Sequence, residues 1–310
     1  MEEVLLNVTG LVRRYGQQTA VNGVGLTIRR GDVYGLVGQN GAGKTTLMRL
    51  ICGLSMPDAG TIELMGETDA AGLSRARSRM GSIVETPRFY PNLTALQNLE
   101  YYRLQRGIAQ RDCTVEALRT VGLADSGTKK FRDFSLGMKQ RLGLALAILS
   151  RPDLVILDEP VNGLDPTGII EVRDIIRRLA SVGVSLLVSS HILSELSQVV
   201  SRYGFMRRGS LVQQISGEEL ARSCRRALEI NVDDTAAAAT LLETQLSTRD
   251  YKIVGANALR LYSHLDQPAA VVQTLVAGGV AVSRLGEVGD SLEDFYRCLI
   301  EEEGGDGGGS

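Results

Sequence analysis

Tryptophan is absent from this chain of 310 residues, histidine occurs only twice, and aromatic residues make up 5%. Few aromatics leave little from which to build a stacking platform for single-stranded nucleic acid. Cysteine occurs four times, at Cys52, Cys113, Cys224 and Cys298, with no Cys-x-x-Cys spacing. That scatter argues against a zinc site or a disulfide framework and fits reduced thiols. No sign of charge dominates: 34 basic against 36 acidic residues give −2, so there is no global field for nucleic acid and none is expected as a partner. Long apolar runs are missing too. The best, Leu142–Leu149, stops at eight residues, against the roughly 18 that a membrane helix needs. The start, Met1-Glu2-Glu3-Val4, has no basic residues and no cleavable apolar stretch, so secretion is not expected. What remains is ordinary globular composition, 44% hydrophobic and 23% charged, at a length suited to about two domains.

Residues 1–217 form the first expected unit. Val4–Val8 and Thr19–Arg29 read as strands, and Val33–Val37 is a short apolar run ahead of glycines. Leu47, Leu50, Ile51 and Leu54 follow at i, i+3, i+4 and i+7, one face of a helix. Residues 87–150 read as mostly helical, with Leu142, Ala145, Leu146 and Leu149 repeating that spacing. Leu154–Leu157 and Val184–Ser189 are buried-strand candidates flanking a helix marked by Ile175, Ile176 and Leu179. Strand, helix, strand in that order predicts parallel pairing in an α/β sheet. Residues 218–303 alternate differently: strands at Ala227–Val232, Leu259–Ser263 and Val280–Leu285, and helices at Thr235–Leu246 and Pro268–Val276. Leu292, Phe295, Tyr296 and Leu299 mark a last helical face. This is the pattern of a small α+β domain without a chemical motif. The glycine-rich tail, 304–310, is expected to be disordered.

The chemistry concentrates in the first unit. Gly38-Gln39-Asn40-Gly41-Ala42-Gly43-Lys44-Thr45 matches G-x-x-x-x-G-K-[ST] between a predicted strand and a predicted helix. At average composition the four fixed positions arise by chance in roughly one chain in a hundred of this length, and the strand–helix setting lowers that further. Glycines let successive N–H groups curl inward around phosphate oxygens, and the helix start through Thr46 adds partial positive charge. Lys44 suits the β- and γ-phosphates and the Thr45 hydroxyl suits Mg²⁺. Asp158 and Glu159 end an apolar strand, where open α/β sheets place ligands. Asp158 suits a Mg²⁺ contact, and Glu159 suits activating a water.

Together these stretches resemble the ATP-binding subunits of ABC transporters across the first unit. The resemblance implies a P-loop ATPase core, with a β-subdomain and a helical subdomain, that binds ATP and Mg²⁺. It implies that Tyr15 stacks on adenine, that Gly38–Thr45 is Walker A, and that Leu154–Asp158 with the catalytic Glu159 is Walker B. His191 matches the switch histidine and Asp165 the D-loop. Ser135, Leu136, Gly137 and Met138 match the signature that acts on the opposite subunit of a head-to-tail dimer, with leucine and methionine where glycine and glutamine are usual. Glu85 stands where the Q-loop usually has glutamine. Glu85 and the following Pro87-Arg88-Phe89-Tyr90, with that signature, look like the bacitracin-type and lantibiotic-immunity branch of exporters.

The resemblance further implies a paired ABC subunit or homodimer, and a separate multi-span membrane permease that holds the chain at the cytoplasmic face of the cell membrane. Phe89, Tyr90, Leu93 and Leu96 are candidates either for permease contact or for internal packing. Arg75, Arg77 and Arg79 read as a solvated basic face. General drug export, a soluble non-transport ABC ATPase and a ligand sensor are the competing readings. No Asn-Lys-x-Asp motif supports a GTPase.

Overall fold

The computed structural model describes residues 3–85, 87–192, 199–224, 226–288 and 295. The chain divides into two compact units, Met1–Gly217 and Glu218–Ser310.

In the first unit, β1 (Val4–Tyr15) pairs antiparallel with β2 (Gln18–Arg29) on one side and with β4 (Ala59–Leu64) on the other. A second sheet runs in the order β5 (Met80–Ile83), β6 (Leu154–Leu157), β7 (Ser185–Ser190), β3 (Val33–Val37), β8 (Arg202–Arg207), β9 (Ser210–Ser216). Its first five strands are parallel and β9 is antiparallel. Every residue of β3, β6 and β7 is buried, as expected of parallel strands covered on both faces. The two sheets share a core with α1 (Lys44–Ile51) that includes Leu26, Leu36, Leu47, Ile51 and Ile156. Strand order puts the ends of β3, β6 and β7 side by side, so the segments opening at Gly38, Asp158 and His191 leave the sheet at one edge.

The segment after β5 is less helical than the sequence suggests. Pro87 and Pro91 disfavour helix, and α3 (Ala95–Gln105) begins only at Thr94, where a capping box forms with Gln97. α4 (Cys113–Thr120) and α5 (Leu136–Ile148) follow, and α6 (Pro166–Ser181) links β6 to β7. β4, β5, β8, β9 and α2 (Ala70–Ser78) are elements the sequence reading did not single out. The basic cluster beside α2 is not a uniform solvated face. Arg77 is partly buried and donates to the Ile51 carbonyl at the end of α1. Arg75 pairs with Glu67, and Arg79 pairs with Asp153.

A short α7 (Gly217–Ser223) precedes the sheet of the second unit. That unit runs β10 (Ala227–Val232), α8 (Thr235–Gln245), β11 (Tyr251–Gly255), β12 (Ala258–Leu261), α9 (Pro268–Ala277), β13 (Val282–Val288), with sheet order β11-β12-β10-β13 and antiparallel pairing throughout. This is the split βαβ arrangement, closed over Leu228, Ile230, Leu242, Leu259, Val271 and Leu275. The expected helical face at Leu292, Tyr296 and Leu299, and the tail, lie outside the described residues.

Asp153, just before β6, ties the amino ends of the strands together through Arg30 at 3.0 Å and Arg79 at 2.7 Å. Burial pushes its carboxyl up, but the two guanidiniums outweigh that and hold it below the ordinary carboxylate range. A lowered folded pKa means this contribution is present above the unfolded value of about 3.9 and is lost as pH falls through the folded value. Asp153→Asn is therefore expected to cost about 1 kcal/mol at neutral pH and to flatten the stability profile below about pH 4, as measured by denaturant titration at several pH values.

Candidate functional site

Between β3 and α1 the chain must turn without side-chain bulk. A Cβ on Gly38 would lie 2.6 Å from the Met206 carbonyl oxygen, and one on Gly43, at φ +105°, would lie 2.3 Å from that of Ala20. Glycine at these positions lets the loop lie against β2 and β8. α1 then starts at Lys44 with no side-chain cap and no acidic residue in its first turn. Its first N–H groups lack intrahelical acceptors by construction, so the helix opens as a cradle for an anion.

Lys44 is 5% exposed, and its Nζ donates to the carbonyl oxygens of Gly38 at 2.5 Å and Gln39 at 3.3 Å. The same ammonium lies 3.2 Å from Glu159 Oε1. Thr45 Oγ1 donates to Asp158 Oδ2 at 2.7 Å, joining the two residues expected at a metal. Ser189 donates to Asp158 Oδ1 at 2.6 Å and accepts from the Glu159 N–H at 2.8 Å. His191 Nδ1 is 2.7 Å from Glu159 Oε2. Glu159 has φ +49°, the left-handed region that a non-glycine residue adopts at a cost. Its backbone is fixed by Ser189 and its two oxygens by Lys44 and His191.

A cavity of about 590 Å³ opens over these groups, lined by Tyr15, Asn40, Gly41, Ala42, Gly43, Lys44, Thr45, Thr46 and Glu159. Tyr15 is nearly half exposed at its mouth, with the Arg13 guanidinium 4.8 Å from the ring centroid. Hydrogen bonds from Ser55 and Arg13 hold its phenol below the usual range. The residues fit Mg²⁺ by their donor chemistry. A hydroxyl and a carboxylate in contact are hard oxygen donors, and Mg²⁺ takes one or two protein ligands with phosphates and water completing its shell. Among the described residues no group of three or more His, Cys, Asp or Glu could hold a metal by itself, and magnesium in this setting needs none.

The residues expected to form the signature and D-loop lie elsewhere. Ser135 caps α5 by accepting from the Met138 N–H at 3.3 Å, and Asp165 caps α6 by accepting from Gly168. Ser135, Leu136, Gly137 and Asp165 line a separate cavity of about 400 Å³. Glu85, after β5, is largely exposed, has φ +69°, and pairs with Arg49 of α1 at 2.8 Å. Of the apolar residues that follow, Phe89 is buried and packs on Tyr102 and Phe131. Tyr90 is exposed against Tyr101, and Leu96 is also exposed.

Two contributors escaped the sequence reading. Ser189 holds the Asp158 carboxylate and the Glu159 backbone N–H, and its signal is only a serine ending an apolar strand. Arg208, with φ +46° in the β8–β9 turn, lines the large cavity from far along the chain. Another cavity of about 350 Å³ holds Arg30 and Arg151, but both already face carboxylates, Asp153 and Glu116.

No helix among the described residues is long and apolar enough to cross a membrane. Residues 21–162 match the family model described as ABC transporter. The chain is 41% identical over 297 residues to the bacitracin transport ATP-binding protein BcrA of Bacillus licheniformis, covering 96% of this chain and 97% of that protein. It is 39% identical over 208 residues to the lantibiotic transport ATP-binding protein SrtF of Streptococcus pyogenes, covering 67% of this chain and 89% of that protein. A solved structure of an ATP-binding subunit of an ABC transporter superposes with a TM-score of 0.62 at 30% identity, over 70% of this chain and 92% of that one. With near full-length identity of this order, and with the cradle, carboxylates and histidine gathered at one sheet edge, the chain belongs to the ABC transporter ATP-binding proteins and is an ATPase of that family.

Proposed function

We propose that this ATPase powers export of a peptide antibiotic of the bacitracin type, through a separate membrane permease that holds it at the cytoplasmic face of the membrane. The observation that carries this reading is the BcrA match, because it extends across 96% of the chain and so includes the second unit. The SrtF match leaves only about a tenth of that protein uncovered, too little to hold a unit like Glu218–Ser310. Among peptide exporters this favours the bacitracin type over the lantibiotic type.

The proposed roles follow the geometry. Tyr15 stacks on the base, and the backbone of Gly38–Gly43 with Lys44 and Thr46 holds the phosphates. Thr45 and Asp158 hold Mg²⁺, which when bound neutralises phosphate charge and fixes the nucleotide's orientation. Glu159 accepts a proton from the attacking water, and His191 orients the Glu159 carboxylate. Ser135 and Gly137 serve the site of a second copy, which is consistent with their lining a cavity separate from that of Lys44. The exposed Tyr90, which lines a groove with Arg88, Tyr101 and Gln105, and the exposed Leu96 are the residues offered to the permease. The boundary after Gly217 separates this engine from the accessory unit.

Glu159→Gln is expected to lower steady-state ATP turnover by roughly 10²–10⁴ while retaining ATP binding; turnover near the parent value removes Glu159 from that role. Lys44→Ala is expected to abolish nucleotide binding measured by calorimetry. Purified from its native membrane in mild detergent with Mg-ATP, the Glu159→Gln protein is expected to bring a multi-span membrane protein in stoichiometric amount. Recovery as a homodimer that never partitions with membranes would overturn the exporter reading.

A further inference from the structure

Asp158 and Glu159 follow the end of β6, and Glu85 follows the end of its neighbour β5. The first two are engaged within the site, Asp158 by Thr45 and Ser189, Glu159 by Lys44 and His191. Glu85 brings a further negative charge, at a position where the ABC pattern has a neutral glutamine. Its φ of +69° is a conformation that persists in a non-glycine residue only when its surroundings hold it. Arg49 supplies such a hold, with Nη2 at 2.8 Å from Glu85 Oε1. Arg49 lies four residues after Thr45 on α1, so the two share one helix face a turn apart.

We infer that Arg49, in the last turn of α1, is a positioning residue for Glu85: it neutralises the extra carboxylate two residues beyond Ile83, whose carbonyl accepts from the Asp158 N–H at 2.8 Å, and thereby sets how strongly nucleotide binding depends on Mg²⁺. This rests on the assignment of Gly38–Thr46 as the ATP cradle. An uncompensated carboxylate at that strand end repels the polyanionic nucleotide and attracts the divalent cation, each less strongly as added salt screens it. The two effects have opposite signs, so the dependence on Mg²⁺ shifts where a merely structural contact would lower both affinities together.

The test is titration calorimetry of ATP into the full-length chain, in EDTA and across a Mg²⁺ series, for the parent, Arg49→Met, Glu85→Gln and the double variant. Arg49→Met is expected to weaken ATP binding in EDTA about three- to tenfold and to lower the Mg²⁺ concentration at half-effect by a similar factor. Glu85→Gln alone is expected to shift both quantities the other way, which keeps the inference testable even if Arg49→Met folds poorly. The double variant is expected to return both to within about twofold of the parent. Equal losses with and without Mg²⁺, the same loss for Arg49→Met in the Glu85→Gln background, or no shift in Glu85→Gln overturns the inference. Lys44→Ala separates the two levels. ATP binding by the parent that Lys44→Ala removes supports the cradle whatever Arg49 does, and parent-like binding by Lys44→Ala overturns the cradle and this inference with it.

Discussion

A buried ammonium constrains the whole first unit. Lys44 has almost no contact with solvent, and an unpaired charge there would be costly. Its partners are two carbonyl oxygens of the loop that precedes it and one oxygen of Glu159. Those carbonyls can face inward only if the loop curls tightly, and it curls against β2 and β8, where Gly38 and Gly43 leave no room for a Cβ. The antiparallel sheet, the parallel sheet and α1 are therefore all required to place one cation, and the cation in turn orients the carboxylate expected to do the chemistry.

That carboxylate is poised by opposing contacts. Glu159 faces Lys44 with one oxygen and His191 with the other, while Ser189 holds its backbone. With the roles proposed above, a phosphate in the cradle would compete with Glu159 for Lys44 and free one carboxylate oxygen for water, while His191 holds the other. The left-handed backbone of Glu159 fits this role, since strained conformations survive where several contacts over-determine them. Parallel strand order makes the arrangement economical: three strand ends from distant parts of the sequence reach one edge without any long loop.

The legible parts of the sequence were those where one local rule suffices. β3, β6 and β10 coincide with their predicted bounds, because buried strands read as short apolar runs ended by polar or glycine residues. The G-x-x-x-x-G-K-[ST] spacing placed the cradle because its geometry is local. β11 escaped notice because it is an edge strand with mostly exposed residues and no alternation. β5 is four residues long and contains a glycine, too short for a period to register. Ser189 and Arg208 enter the site only through tertiary folding, and the pairing of Arg49 with Glu85 joins a helix to a strand end 36 positions away. Arg77 reads as surface charge by composition, yet it is consumed at the carboxyl end of α1.

The two units also divide the problem of function. The first contains a complete half of each of two chemistries: a cradle that lacks signature residues within its own cavity, and a signature helix start whose cavity lacks a cradle. In the head-to-tail pairing proposed here, two copies would supply what each lacks, with ATP as the adhesive between them and hydrolysis as the release. None of this requires the second unit, and the SrtF match, confined to 208 residues, has little room for one. The split βαβ domain lies within the 96% of this chain that the BcrA match covers, and nothing in the proposed ATP chemistry uses it. What the BcrA match covers and the SrtF match has little room for is thus a domain whose sequence carries no catalytic motif.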